Sequence, residues 1–353
     1  MASTHTAISW TDATWNVLRG CSRVSLGCGG PHGQGGCYAE RLAIRFAGPG
    51  QPYEGLVKST PAGPRWTGEV RFVEEALTLP LRWRTPRRIF VNSMSDLFHE
   101  KVADEWIDRI FAVMLLAQRH TYQVLTKRPE RMRAYLSDPD HTMRVLMAMN
   151  SLMGPTILAG VDRAGSSKFP CPAIHLGVSV EDQATVNARI PHLFETPAAV
   201  RWVSYEPMLG PVDFTRIDGG ALSIHYEGID FDALHGFDMR RTKLDWIVAG
   251  GESGPGARPP HPDWFRSARD QCVAAGVPYF FKQWGEYAPV PPRAAGPGRM
   301  VRAGDIVVTP DGRRAPIKAD LSCDLEGAGI PMRRFGKKAA GAMLDGREWR
   351  EFP

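Results

Sequence analysis

Three cysteines, Cys21, Cys28 and Cys37, are close together in a 353-residue chain, while Cys171, Cys272 and Cys323 are scattered. The spacing is C-x6-C-x8-C. The segment between them is rich in glycine, which permits the sharp bends needed to bring sulfurs onto one centre. Three thiolates can ligate three irons of a [4Fe–4S] cluster and leave the fourth iron open to a small-molecule ligand, the logic of radical chemistry with S-adenosylmethionine. The same segment offers His32 as a fourth ligand for a closed zinc site. Spacing leaves both readings open, with unligated thiols as a third. A disulfide framework would be denser and would suit a secreted chain. Cys171, Cys272 and Cys323 read as ordinary thiols.

The elements that would position such a centre repeat one pattern: a short β-rich run, a polar end, then a helical stretch. Strands are expected at residues 88–91, 121–126, 174–180, 200–204, 244–249 and 277–281, with an initial one around 15–18 just before Cys21. Trp106, Ile110, Val113 and Ala117 recur at helical intervals, and helices are also expected from about Tyr38 to Phe46, from Glu130 and over 141–153. Alternating β and α elements imply a parallel sheet. Six or seven units with polar strand ends point to an α/β fold, a partial or complete (β/α) barrel with its chemistry at the C-terminal strand ends. A doubly wound open sheet is the rival. Trp202, Trp246 and Trp284 are read as core rather than stacking platforms.

Composition sets outer bounds. Hydrophobic residues make up 43% and charged residues 23%, the proportions of a globular protein. The longest apolar run, residues 110–117, is far too short for a membrane span, and no secretory signal opens the chain, so a cytoplasmic protein without membrane contact is expected. The net charge is +5, and residues 290–353 carry most of the surplus, with 12 Lys+Arg against 8 Asp+Glu. Any contact with a polyanion is therefore sought in the tail, where Arg333-Arg334-Phe335-Gly336-Lys337-Lys338 combines cations with an aromatic. Residues 1–287 read as the barrel, with insertions near 137–172 and 213–243; residues 288–353 read as a Pro/Gly-rich linker and a small basic segment.

A resemblance joins these motifs. Thr14-Trp15-Asn16, Gly20-Cys21-Ser22-Arg23-Val24-Ser25, Gly27-Cys28 and Cys37-Tyr38-Ala39-Glu40-Arg41 resemble the opening of an uncharacterised phage-associated family, the gp thirty-seven / gp sixty-eight type. The likeness continues through Asn92-Ser93-Met94-Ser95-Asp96, Leu125-Thr126-Lys127-Arg128-Pro129, Ser179-Val180-Glu181, Ser204-Tyr205-Glu206-Pro207, Gly250-Gly251-Glu252-Ser253-Gly254, Lys282-Gln283-Trp284-Gly285 and Gly336-Lys337-Lys338. That family in turn resembles radical S-adenosylmethionine enzymes. Most of those use C-x3-C-x2-C; the interval between Cys28 and Cys37 here is longer by an insertion that contains His32.

The resemblance implies a [4Fe–4S] cluster on Cys21, Cys28 and Cys37, with S-adenosyl-L-methionine at the strand ends and an external electron donor. Carboxylates and hydroxyls suit its ammonium and ribose, and cations suit its carboxylate. Asn92, Ser93, Ser95 and Asp96 are then candidates for the methionine end, and Ser179 and Glu181 for the ribose. Lys127, Arg128, Glu206, Glu252 and Gln283 are candidates for substrate, a nucleotide or nucleic-acid base being the first expectation. The alternative is a zinc- or cluster-stabilised nucleic-acid-binding protein without radical catalysis. A metal-dependent hydrolase lacks support, since no HxH or HExxH motif occurs.

Overall fold

The computed structural model describes residues 6–152, 169–221, 230–236, 242–291, 298–325 and 328–353. Seven strands form one parallel sheet: β1 (Ala13–Trp15), β2 (Arg88–Val91), β3 (Thr121–Thr126), β4 (Ile174–Val180), β5 (Val200–Tyr205), β6 (Trp246–Gly250) and β7 (Tyr279–Gln283). They lie side by side in chain order, each pairing in parallel with the next. A single sheet wound steadily in one direction is a partial (β/α) barrel; a doubly wound sheet would reverse its order. The initial strand ends at Trp15, earlier than expected, and Leu18–Arg19 pairs instead with Arg71–Phe72 outside the sheet.

Strand residues alternate between two apolar environments, as a pleated strand requires. Ile89, Val91, Ile247, Ala249, Tyr279 and Phe281 face outward into the main core, where they meet the helices. These include α2 (Asp104–Leu116), α3 (Pro129–Leu136), α4 (His141–Leu152), α5 (Gln183–Glu195) and α6 (Pro262–Ala275); α1 (Tyr38–Ala43) packs apart from them, against Tyr53, Leu56, Val57 and Trp66. The seven consecutive buried positions that end α2, Ile110 to Leu116, explain its continuous apolar run. The capping box between Asp182 and Thr185 starts α5, and Gly276 in the left-handed conformation ends α6.

The inward positions form a second, separate cluster of Trp10, Phe90, Trp202, Trp246, Val248 and Phe280. Trp10 packs edge-on against Phe90 and Trp202, with ring centroids 4.7 and 5.3 Å apart. Gly177 makes room for this plug: a Cβ there would lie 2.5 Å from the Trp202 indole. Trp202 and Trp246 are thus fully buried core.

The segments near 137–172 and 213–243 lie between β3 and β4 and between β5 and β6. The first contains α4, and the rest of it from 153 to 168 lies outside the described residues. The second contributes a two-stranded ribbon, Ile217–Asp218 with Asp230–Phe231; residues 222–229 and 237–241 lie outside the described ones. The tail carries a four-stranded antiparallel sheet of β8 (Tyr287–Pro289), β9 (Ile306–Val308), β10 (Arg314–Pro316) and β11 (Ile330–Arg334), in the order β8-β11-β9-β10.

The last residues return to the barrel. Phe281 N donates to Trp349 O at 3.0 Å and Glu351 N to Tyr279 O at 3.3 Å, so the terminal strip lies along the free edge of β7. Phe352 then packs against Trp246 and Phe280, with Arg88 of β2 4.0 Å above its ring. No helix among the described residues is long and apolar enough to cross a membrane.

Candidate functional site

A cavity of about 450 Å³ opens at the C-terminal ends of the strands. The aromatic plug supplies its floor through Trp10 and Phe90, and Cys21, Cys28 and Cys37 stand on its wall. Asn92, Ser93, Ser95, Asp96, Lys127, Arg128, Ser179, Glu206, Glu252 and Gln283 line it too. Every sequence-derived site residue except Glu181 therefore reaches one cavity. Glu181 lies behind Lys127, 1% exposed.

The cysteine loop is built so that the long interval between Cys28 and Cys37 closes on itself. Cys37 N donates to Cys28 O at 3.1 Å, which makes a neck and places the two cysteines side by side. The residues between them fold away as a compact loop. Its far side is docked by Gly35 N on Gly256 O at 2.6 Å and by Gly36 N on Glu252 Oε1 at 3.1 Å. The side chain of His32, the fourth ligand of the zinc alternative, lies outside what is described. Cys37 then caps the start of α1, where Glu40, 1% exposed, holds Arg23 bidentately and accepts Trp66 N at 3.0 Å.

Arg128 fastens the first cysteine. Its Nη1 donates to Asp96 Oδ2 at 3.0 Å and lies 3.9 Å from Cys21 Sγ; its Nη2 donates to Ser22 Oγ at 2.6 Å, and its Nε to Glu100 Oε2 at 2.8 Å. Burial pushes the Cys21 and Cys37 thiols up, and the neighbouring cysteines add to this for both. An electropositive metal centre would reverse that preference by stabilising thiolate.

The carboxylates at the strand ends are almost entirely committed to the protein itself. Asp96 accepts from Thr126 Oγ1 at 2.7 Å, from Phe98 N at 3.0 Å, from Lys127 N at 3.1 Å and from Arg128. Glu181 accepts from Lys127 Nζ, from Ser25 Oγ at 3.1 Å and from Arg189 Nη1 at 3.0 Å. Burial alone would raise its pKa; the charges of Lys127 and Arg189 outweigh that and hold it below the usual carboxylate range. Glu252 takes Arg258 N, Nε and Nη2 at 2.8–2.9 Å, besides Gly36. Glu206 pairs with Lys282 at 3.1 Å and accepts from Ser204 Oγ at 3.3 Å.

The polar groups before α2 are similarly engaged. Ser93 Oγ donates to Asn16 Oδ1 at 3.1 Å and Ser95 Oγ to Leu18 O at 3.1 Å. Asn92, at φ 63, accepts Leu18 N at 3.1 Å, while its buried Nδ2 has no partner. Gln283 Nε2 donates to Ser253 Oγ at 2.9 Å. Ser179 Oγ bonds Lys127 Nζ and Glu206 O.

Sequence reasoning missed several participants. Arg189 comes from α5 and Arg258 from the loop between β6 and α6, and the fold brings them back to Glu181 and Glu252. Arg41, Ser253 and Lys337 also line the cavity. Each lay inside a motif that the sequence singles out, four residues after Cys37, next to Glu252 and after Gly336, so the signal was present without a reason to pick the residue.

Three cysteines that line one cavity are the donor chemistry an iron–sulfur centre uses. A zinc ion needs its ligands around one point. Among the described residues no three His, Cys, Asp or Glu side chains are grouped in that way. A cluster instead takes each thiolate on a different iron, so three cysteines spread along one cavity wall are compatible with it.

Comparison with known proteins gives a family but no activity. No curated protein matches the chain, and no solved structure does. The profile of a protein family of unknown function, DUF5131, matches residues 5–353, and the chain belongs to that family.

Proposed function

We propose that this DUF5131 member is a radical S-adenosylmethionine enzyme. The observation that carries the reading is the convergence of Cys21, Cys28 and Cys37 with the polar strand ends on one cavity over an apolar floor. The likeness of the cysteine segment and strand-end motifs to the phage-associated family, and of that family to radical enzymes, supports it. Cys21, Cys28 and Cys37 would hold three irons of a [4Fe–4S] cluster, with the fourth iron left to the cofactor. When bound and reduced, such a cluster supplies the cleavage of S-adenosylmethionine to methionine and a 5′-deoxyadenosyl radical that abstracts hydrogen from a substrate.

The chain's own residues do the rest. Arg128 and Glu252 fix the two ends of the cysteine loop through Ser22 and Gly36. The aromatic floor excludes water, which a reactive radical requires. Ser253, Gln283 and the Lys282–Glu206 pair present donors and acceptors to whatever occupies the cavity.

The test is anaerobic purification and reconstitution with iron and sulfide, followed by dithionite and S-adenosylmethionine. Iron uptake and 5′-deoxyadenosine are expected. Cys21→Ala, Cys28→Ala or Cys37→Ala should each abolish the cluster absorbance, and Cys272→Ala should leave it. Stoichiometric zinc with no iron uptake sinks the reading. A cluster that forms without cofactor cleavage favours a nucleic-acid-binding protein stabilised by its metal.

A further inference from the structure

The charges around the cavity do not cancel. Five cationic side chains line it: Arg41, Lys127, Arg128, Lys282 and Lys337. Three of them have carboxylate partners. Lys127 pairs with Glu181, Arg128 with Asp96 and Glu100, and Lys282 with Glu206. The remaining lining carboxylate, Glu252, is taken by Arg258 from outside. Arg41 and Lys337 are left with no carboxylate partner among the described residues.

These two cations flank one structural element, the loop that ends β6. Arg41 Nη2 donates to Ser253 O at 2.7 Å, which fixes its guanidinium beside the loop. Lys337 follows Gly336, whose N–H donates to Glu286 O at 3.1 Å; the Glu286 carboxylate in turn accepts Gly254 N at 3.0 Å. The backbone thus holds Lys337 at the cavity from the tail side. We propose that Arg41 and Lys337 bind a phosphate group carried by the substrate.

The inference rests on the cavity being a substrate site, and it names the substrate class. Arg offers a planar fork that matches phosphate oxygens, and Lys a point charge. Partial burial lowers the pKa of Lys337 below the usual lysine range, and the charge of Lys282 adds to this against the opposing pull of Glu206 and Glu286. A bound dianion would relieve both costs.

The experiment is a titration of the full chain, before cluster reconstitution, with inorganic phosphate at low salt, followed by calorimetry. Saturable one-site binding is expected, weakened about tenfold by Lys337→Ala or by Arg41→Gln, the loss of one charge-assisted hydrogen bond. Lys337→Arg should retain it, and Lys338→Ala, next along the chain, should leave it unchanged. Absence of saturable binding overturns the proposal, as does wild-type affinity in Lys337→Ala or an equal loss in Lys338→Ala. After reconstitution, S-adenosylmethionine should bind alongside phosphate; competitive displacement would assign the two cations to the cofactor's carboxylate and overturn the proposal. Displacement by thymidine 5′-monophosphate or by an oligothymidylate supports it, and tells a free nucleotide from a polynucleotide as the source of the phosphate. Because the first titration needs no cluster, failure of iron uptake would remove the radical reading without touching this result.

Discussion

The two sides of the cavity mouth use the same residue types to opposite ends. At the ends of β2, β3 and β4, Asp96, Lys127, Arg128 and Glu181 consume one another's charge, and nearly every donor has an acceptor in the protein. Beside the loop after β6, Arg41 and Lys337 reach the same cavity without an ion pair among the described residues. The first side is scaffold that fixes the cysteine loop; the second has capacity left over. A charged residue at a strand end is therefore informative about binding only after its partners have been counted.

The sharpest way to break this comparison is Glu181→Ala. It would leave Lys127 and Arg189 facing each other in a buried site, and removing one partner of such a group costs about 3–5 kcal/mol. Denaturant unfolding at neutral pH should show that loss. A loss below about 1 kcal/mol, the worth of an exposed pair, would mean the first side is no more structural than the second.

Gly27→Ala tests the same contact from the loop. A Cβ at Gly27 would lie 2.2 Å from Glu181 Oε1, so the loop or the carboxylate must shift. Overpacking of this kind costs about 1–3 kcal/mol, and iron uptake should fall with it. Wild-type stability in Gly27→Ala would show that the loop is not seated on Glu181.

Acid should act on the scaffold side as well. The folded-state pKa of Glu181 is depressed, so its contribution is present above the unfolded value and is lost as pH falls through the folded one. The acid limb of stability should therefore steepen, by at most about 1.4 kcal/mol per pH unit for this one group, and Glu181→Gln should flatten it. An unchanged acid limb in Glu181→Gln would place the depression elsewhere.

The smallest effect is expected on the other side. Lys337 is exposed and makes no ion pair among the described residues, so Lys337→Ala should alter stability by no more than about 0.5 kcal/mol while weakening phosphate binding. A large destabilisation would make Lys337 scaffold after all.

The strands were legible because each pairs a short apolar run with an abrupt polar end. Arg88-Ile89-Phe90-Val91 before Asn92, and Thr121 to Thr126 before Lys127, match the observed strands at both ends. Convergence of the strand-end residues followed from the barrel itself, since parallel strands put all their C-terminal ends on one face. The division of labour among those residues was not legible. Glu252 and Lys337 look alike as strand-end or tail charges, yet Arg258 pairs with one, while the other makes no ion pair among the described residues. Partners such as Arg189 for Glu181 and Gly36 for Glu252 are set by helix phase and loop docking, which local sequence does not encode. The tail shows the same limit. Its basic run splits into Arg333, tied to Asp305, Arg334, paired with Glu286, and Lys337, turned to the cavity.

The strip at Trp349–Glu351 has a consequence for how the chain is made. An open parallel sheet exposes a row of unpaired backbone groups along its last strand, a template for pairing with another chain. Here that row is covered by residues that leave the ribosome only after the whole four-stranded tail sheet has been translated. Until then β7 is a bare margin on an otherwise formed barrel. A nascent or prematurely terminated chain would carry that margin exposed, and its chief hazard would be association with its own kind rather than loss of the cavity.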